Sequence, residues 1–124
     1  MEDLTTLQSL DPRKVPISDL SPLTNLKNLR RLTIEKTKAT DISSLTNLKN
    51  LEYLDLEDTA VTDFSPLQEL TALQRIDLEG TSISVLSPLK GLQDLERITL
   101  RETPISKEDE ILQGLKQRGV KVRI

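Results

Sequence analysis

The 124-residue sequence contains no histidine, cysteine or tryptophan, and Tyr53 and Phe64 are its only aromatic residues. Without thiols or imidazoles it has no cysteine nucleophile, disulfide framework, zinc-finger ligand set or imidazole base. No apolar run approaches the roughly 20 residues needed to span a bilayer. The opening MEDLTTLQSL lacks the basic and apolar stretches of a secretory leader. Membrane insertion is therefore not expected. A cytoplasmic location is, with export by a signal-independent route or as part of a longer chain left open. A dominant sign of charge is missing too: 17 Lys+Arg against 20 Asp+Glu leave a net charge of −3. Bulk charge thus gives nucleic acid no attraction to the chain.

What the sequence does have is leucine, 24 residues of it, placed with a period. A shift of 22 residues superimposes Leu23, Leu45, Leu67 and Leu89, then Leu26, Leu48, Leu70 and Leu92, then Leu29, Leu51, Leu73 and Leu95. Leu32, Leu54, Ile76 and Ile98 follow, and two positions on Ile34, Leu56, Leu78 and Leu100. Thr37, Thr59, Thr81 and Thr103 keep the same period, as do Ala39, Val61, Ile83 and Ile105. An internal period of this size signals a repeat architecture.

Each unit changes character along its length. Segments such as LEYLDLEDT and LQRIDLEGT alternate apolar and polar residues, the mark of a short half-buried strand. Ahead of each strand the leucines recur every third residue, which suits 3₁₀-like turns. Ser21-Pro22, Ser65-Pro66 and Ser87-Pro88 predict an N-cap hydroxyl before a proline at the first turn position, and Ser43-Ser44 departs only in losing the proline. Asp19, Asp41 and Asp63, after each Thr, predict local side-chain hydrogen bonds in the turn.

The pattern L-x-x-L-x-[LI]-x-x-T-x-[AVI] resembles the leucine-rich-repeat family, with Thr where that family usually has Asn or Cys. The 22-residue unit and the phrases SDLSPLTNLKNL and TDFSPLQELTAL are similar to the short bacterial subclass that includes the internalins. The resemblance covers at least residues 15–106. It implies an α/β solenoid shaped as a horseshoe segment, with a parallel sheet on the concave face and 3₁₀ or irregular segments on the convex face. The family Asn bridges adjacent turns. A Thr hydroxyl makes fewer bonds, so backbone pairing or water is expected to complete the ladder.

The expected layout is one repeat domain over 1–124, with a degenerate first unit or cap at 1–14, repeats at 15–106 and a C-terminal cap at 107–124. Repeat phase runs back through Leu10, Leu7, Leu4 and Met1 with no capping helix before them, so the N-terminal face should be the weaker end. It could meet a neighbouring domain or a second copy. At the other end Ser106-Lys107-Glu108-Asp109 resembles a capping box opening a helix to about Gln117, closed by Gly119. In VKVRI, Val120 and Val122 then stand one period beyond Ile98 and Leu100.

On the concave face equivalent residues would stack about 4.8 Å apart in columns. One column holds Arg31, Tyr53, Arg75 and Arg97, the next Thr33, Asp55, Asp77 and Thr99, and the third Glu35, Glu57, Glu79 and Arg101. Tyr and Arg are residue types that concentrate binding energy at interfaces. Stacking Asp55 on Asp77 and Glu57 on Glu79 also places like charges opposite one another, which is destabilising. Against this stands a solvated face whose charges balance, with Arg75 beside Asp77 and Tyr53 stacked on Arg31 or Arg75. The local cost favours recognition of another protein through Arg31, Tyr53, Asp55, Glu57, Arg75, Asp77, Glu79 and Arg97. A calcium site is disfavoured because the carboxylates approach from one side only. A carboxylate acid–base pair is disfavoured because equivalent positions on an open face do not push two acidities apart. No phosphate loop or nucleophile elbow occurs. The expected protein is non-enzymatic, without cofactor or metal, and either binds a partner or serves as a sensor or scaffold segment of a longer chain.

Overall fold

Leucines every third residue and strands every 22 can be buried only by stacking each unit on the next. The computed structural model, which describes residues 9–10 and 23–124, shows that arrangement. Six strands form one parallel sheet in chain order. They are β1 (Ser9–Leu10), β2 (Arg31–Thr33), β3 (Tyr53–Asp55), β4 (Arg75–Asp77), β5 (Arg97–Thr99) and β6 (Lys121–Arg123). One helix, α1 (Glu110–Gln117), precedes β6. Leu10 pairs with Leu32, Leu32 with Leu54, Leu54 with Ile76 and Ile76 with Ile98, so the 22-residue phase is also the sheet register. Backbone pairing continues past the strands, with Ile34 N–H donating to Asp55 O at 3.0 Å and Lys36 N–H to Glu57 O at 2.9 Å. The expectations for Met1, Leu4, Leu7, Ser21, Pro22, Asp19 and the N-terminal cap lie outside the described residues.

The inward side chains form one continuous core running from Leu23 to Val120. Between strands, short 3₁₀ turns at Ser43–Leu45, Ser65–Glu69 and Ser87–Leu89 make up the convex side. The serine hydroxyls do not cap these turns as expected. Ile42, Phe64 and Leu86 hold the cap positions, with no side-chain cap bond. The bonds come instead from Asp41 and Asp63, whose Oδ1 atoms accept from the N–H of Ser43 at 2.9 Å and Ser65 at 3.0 Å. These are the local turn bonds expected of the aspartates. The serine itself stands one position inside the turn, and the Ser65 side chain bonds back to Asp63, lowering that carboxyl's pKa.

The threonine ladder is also built differently. Thr37, Thr59, Thr81 and Thr103 each donate a hydroxyl to the carbonyl three residues earlier, at 2.6–2.9 Å, closing their own turn rather than bridging to the next. A hydroxyl one carbon from the backbone is too short to span two stacked units. Just before each threonine stands a residue with positive φ: Lys36 (58°), Asp58 (54°), Gly80 (71°) and Glu102 (56°). With Thr37 N–H donating to Ile34 O, this is the third position of a turn that requires φ above zero. Only Gly80 has the residue type that takes it without steric cost. A Cβ on Gly80 would also collide with Asp58 Oδ1.

At the C-terminal end the helix starts three residues later than the capping box implied. Asp109 is its N-cap, accepting from Ile111 N–H at 2.9 Å and Leu112 N–H at 3.1 Å. Leu112 and Leu115 are buried against the last repeat. The Arg118 guanidinium donates to the carbonyls of Lys90 at 3.3 Å and Leu92 at 2.7 Å, tying the helix end to the preceding turn. Gly119, at φ +93°, then turns the chain into β6. Val122 pairs with Ile98, so the last unit is 24 residues long rather than 22. Val120 and Val122 are therefore not one period beyond Ile98 and Leu100. A helix takes more residues to cross the core than a 3₁₀ turn does, and the strand register absorbs the excess.

Leu54 and Leu78 have no solvent exposure. Leu54→Ala or Leu78→Ala should lower unfolding free energy in urea titrations by about 2–5 kcal/mol. Gly80→Ala should cost about 1–2 kcal/mol in the same assay, because an L-residue is forced into the left-handed region. Lys36→Gly, which relieves that strain, should not destabilise.

Candidate functional site

Alternation along each strand sends one residue in two away from the core, so the sheet's outer, concave face carries the columns read from the sequence. Arg31, Tyr53, Arg75 and Arg97 are successive register partners, and Asp55 pairs with Asp77. Glu57 and Glu79 lie two residues past the ends of β3 and β4 and are partly exposed. The eight expected site residues therefore do share one face.

Their environments are unequal. Arg31, Arg75 and Arg97 are exposed, and Tyr53 is half-buried. Asp55 is only 6% exposed, whereas Asp77 is partly open to solvent. The expectation of equivalent carboxylates on an open face is thus corrected. Both aspartates bend back to accept the N–H two residues on: Asp55 Oδ1 from Glu57 at 2.9 Å, and Asp77 Oδ1 from Glu79 at 3.0 Å. Tyr53 directs its hydroxyl to Asp55 Oδ2 at 3.4 Å. Arg75 has no ion pair with Asp77; the ion pairs among the described residues are Arg30–Glu52 at 2.9 Å and Lys49–Glu69 at 3.4 Å.

Carboxylate oxygens of Glu35, Asp55 and Glu57 lie within 4.8 Å of one another. Burial raises the pKa of Asp55 from 3.8 to about 7, reinforced by hydrogen bonding to Glu35 and the nearby charges of Asp77 and Glu35, while the Glu57 N–H bond opposes it. Glu57 is raised by desolvation and by Glu35. Tyr53 is pushed up to about 12, first by burial and then by the charge of Asp55. Glu35 stands in the third column but is not among the eight residues expected from the sequence to form the site. Its membership follows from side-chain reach between strands, which no spacing rule encodes.

This cluster holds a proton better than it performs chemistry. Asp55 is buried, and both its oxygens have partners, so a substrate has no approach to it. A hard cation needs six to eight oxygens wrapped around it, and three carboxylates on a sheet face do not provide them. More open ground lies beside the cluster. A depression of about 430 Å³ is lined by Arg31, Glu52, Tyr53, Gln74 and Arg75. A second, of about 260 Å³, continues from Tyr53 and Arg75 to Arg97, Thr99 and Arg123. Tyr53 and Arg75 are common to both.

The proton has a consequence for stability. An acid whose folded pKa lies above its unfolded value binds extra protons in the folded state between the two. For Asp55, stability is therefore fully present at the acid end and falls as pH rises from about 4 to about 7. Asp55→Asn keeps the Oδ1 acceptor and removes the ionisation. It should be more stable than the wild type at about pH 8 by roughly 1–2 kcal/mol after allowance for screening, with the gap closing by about pH 4. Urea titrations of both proteins across that range measure the difference.

No protein-family model matches the sequence, and no curated protein sequence does. Solved structures match it. Internalin C2 of Listeria monocytogenes superposes with a TM-score of 0.81 at 31% identity, over 97% of this chain and 51% of the internalin. The internalin inlF of the same organism is 39% identical, with a TM-score of 0.70 over 75% of this chain and 28% of its own. A leucine-rich-repeat protein of Leptospira interrogans, 18% identical, shares the fold with a TM-score of 0.73. The chain thus spans about half of one internalin and about a quarter of the other. No helix among the described residues is long and apolar enough to cross a membrane. With the Leu, Thr and strand positions in register through the sheet and two internalins above 30% identity, the chain belongs to the leucine-rich-repeat family, in its internalin-like bacterial subclass.

Proposed function

We propose that this chain is a non-enzymatic recognition module that holds a partner protein against its concave sheet, with Tyr53 and Arg75 at the centre of the contact. The observation that carries the reading is their pairing across β3 and β4 beside two open depressions. Tyr53 offers a large ring with a polar tip, and Arg75 a planar donor fork suited to a carboxylate. Arg31 and Arg97 extend the same column. Asp55, Glu57, Asp77 and Glu79 supply the opposite charge alongside, which governs association rate and partner choice more than raw affinity. The catalytic alternative has less support, because the perturbed carboxylate is the one least accessible.

A second reading is favoured by one observation: the chain spans 28% and 51% of the two internalins it resembles. On that reading the repeats belong to a longer protein and position a neighbouring domain.

Affinity capture from the native host, identified by mass spectrometry, should yield a partner. Tyr53→Ala and Arg75→Ala should each weaken its binding by at least about 1–2 kcal/mol, the scale of interface anchors. Lys49→Ala and Gln68→Ala, on the convex side, should be near neutral. Arg75→Ala and both convex variants should keep the wild-type melting temperature, while Tyr53→Ala, losing a half-buried ring, should melt slightly lower. Loss of binding in the convex pair with retention in the concave pair would place the interface on the other face.

A further inference from the structure

The 24-residue last unit has an electrostatic effect on the concave face. It sets Lys121 beside Arg97 and Arg123 beside Thr99. Arg75 flanks Arg97 on the other side, so three long cations stand in one column at strand spacings of about 4.8 Å. Arg75, Arg97, Lys121 and Arg123 are exposed, and so is Arg101, which follows β5 at the position of Glu79. None of these five pairs with a carboxylate among the described residues. Across β2 to β4 the cations Arg31 and Arg75 are outnumbered by Glu35, Asp55, Glu57, Asp77 and Glu79; across β5 and β6 Arg97, Arg101, Lys121 and Arg123 stand with no carboxylate in the columns. The face reverses sign between β4 and β5.

Like charges on neighbouring strands repel. Among the described residues the carboxylates beside this basic half are Asp77, which lines a depression with Arg97 and Arg123, and Glu96 at its rim. Arg75, Arg97, Arg118 and Lys121 surround a depression of about 300 Å³ with Glu96 on its wall. Arg118 spends its fork on backbone carbonyls and contributes mainly charge there.

We infer that the β5–β6 end of the concave face is a docking surface for an acidic segment of a partner protein, its carboxylates seated against Arg97, Lys121 and Arg123. This rests on the reading of the concave face as a recognition surface and names the partner's chemistry. The Arg forks match carboxylates in geometry. The basic strip from β4 to β6 is only about 10 Å across. A nucleic-acid backbone continuing over the sheet would run onto the acidic columns of β3 and β4 and be repelled. A short acidic stretch followed by neutral or basic residues meets no such penalty.

The test is fluorescence anisotropy on the full chain at low salt with a fluorescein-labelled peptide alternating Glu and Ser. The same peptide with Gln for Glu, and a short oligothymidine, run beside it. The Glu peptide should bind, and its affinity should fall as ionic strength rises. The Gln peptide should not bind, and oligothymidine should bind more weakly. Lys121→Gln/Arg123→Gln should lose at least about tenfold in affinity for the Glu peptide with an unchanged melting temperature. Absence of Glu-peptide binding, equal binding by the double variant, or tighter binding of oligothymidine would each overturn the inference. Capture of a partner that depends on Tyr53 and Arg75 but is indifferent to Lys121 and Arg123 would also sink it, and would leave the concave-face reading standing. A partner held by the convex face would sink that reading instead.

Discussion

The structure depends on a single constraint, the parallel register that places each leucine on its equivalent in the next unit. Strands of three residues carry few ladder bonds, and no unit can bury its own apolar side alone. Stability comes from the stack, in which every repeat closes the core of its neighbour. Leu32, Leu54, Ile76 and Ile98 form one such line, and slipping it by one residue would turn the whole line to solvent. The period is relaxed between β5 and β6. There two extra residues are accommodated by a helix capped at Asp109 and packed through Leu112 and Leu115.

The same register acts on the outer face without regard to charge. Whatever stands at a given position of one unit lies beside its counterpart in the next. Side chains that would avoid one another in a less regular fold are forced into columns. The chain meets this in two ways. In the middle of the sheet Asp55 is buried under the Tyr53 hydroxyl, within reach of Glu35 and Glu57, and its acidity falls until a proton is held near neutrality. Toward β6, Arg97, Lys121 and Arg123 stay exposed, without ion pairs among the described residues. The first response is internal to the chain, and the second is left for something outside it to neutralise.

Backbone strain follows the same logic. Each turn after a strand needs a positive φ, and only one of four units supplies a glycine. The threonine that follows donates to the carbonyl at the start of the turn and clamps it, as with Thr81 to Leu78 O at 2.7 Å. That bond is local, so the turn keeps its shape without borrowing a side chain from the adjacent unit.

Because the units are copies, the sequence alone determined the period, the inward residues, the strand positions and the membership of the outer columns: identical spacing in identical units leaves one way to stack them. It also determined that Asp41 and Asp63 bond within their own turns, an interaction that spans two residues. What the tertiary structure decided lies where copying stops or where reach between strands matters. The Ser65 hydroxyl and the Ser106 box were legible as caps, yet their bonds go elsewhere, because the real cap depends on where the chain bends. Glu35 joins Asp55 and Glu57 through side-chain length across a strand gap. Lys121 and Arg123 enter the concave columns because a helix crosses the core with two more residues than a 3₁₀ turn, a difference in rise and path that periodicity carried forward by 22 could not contain.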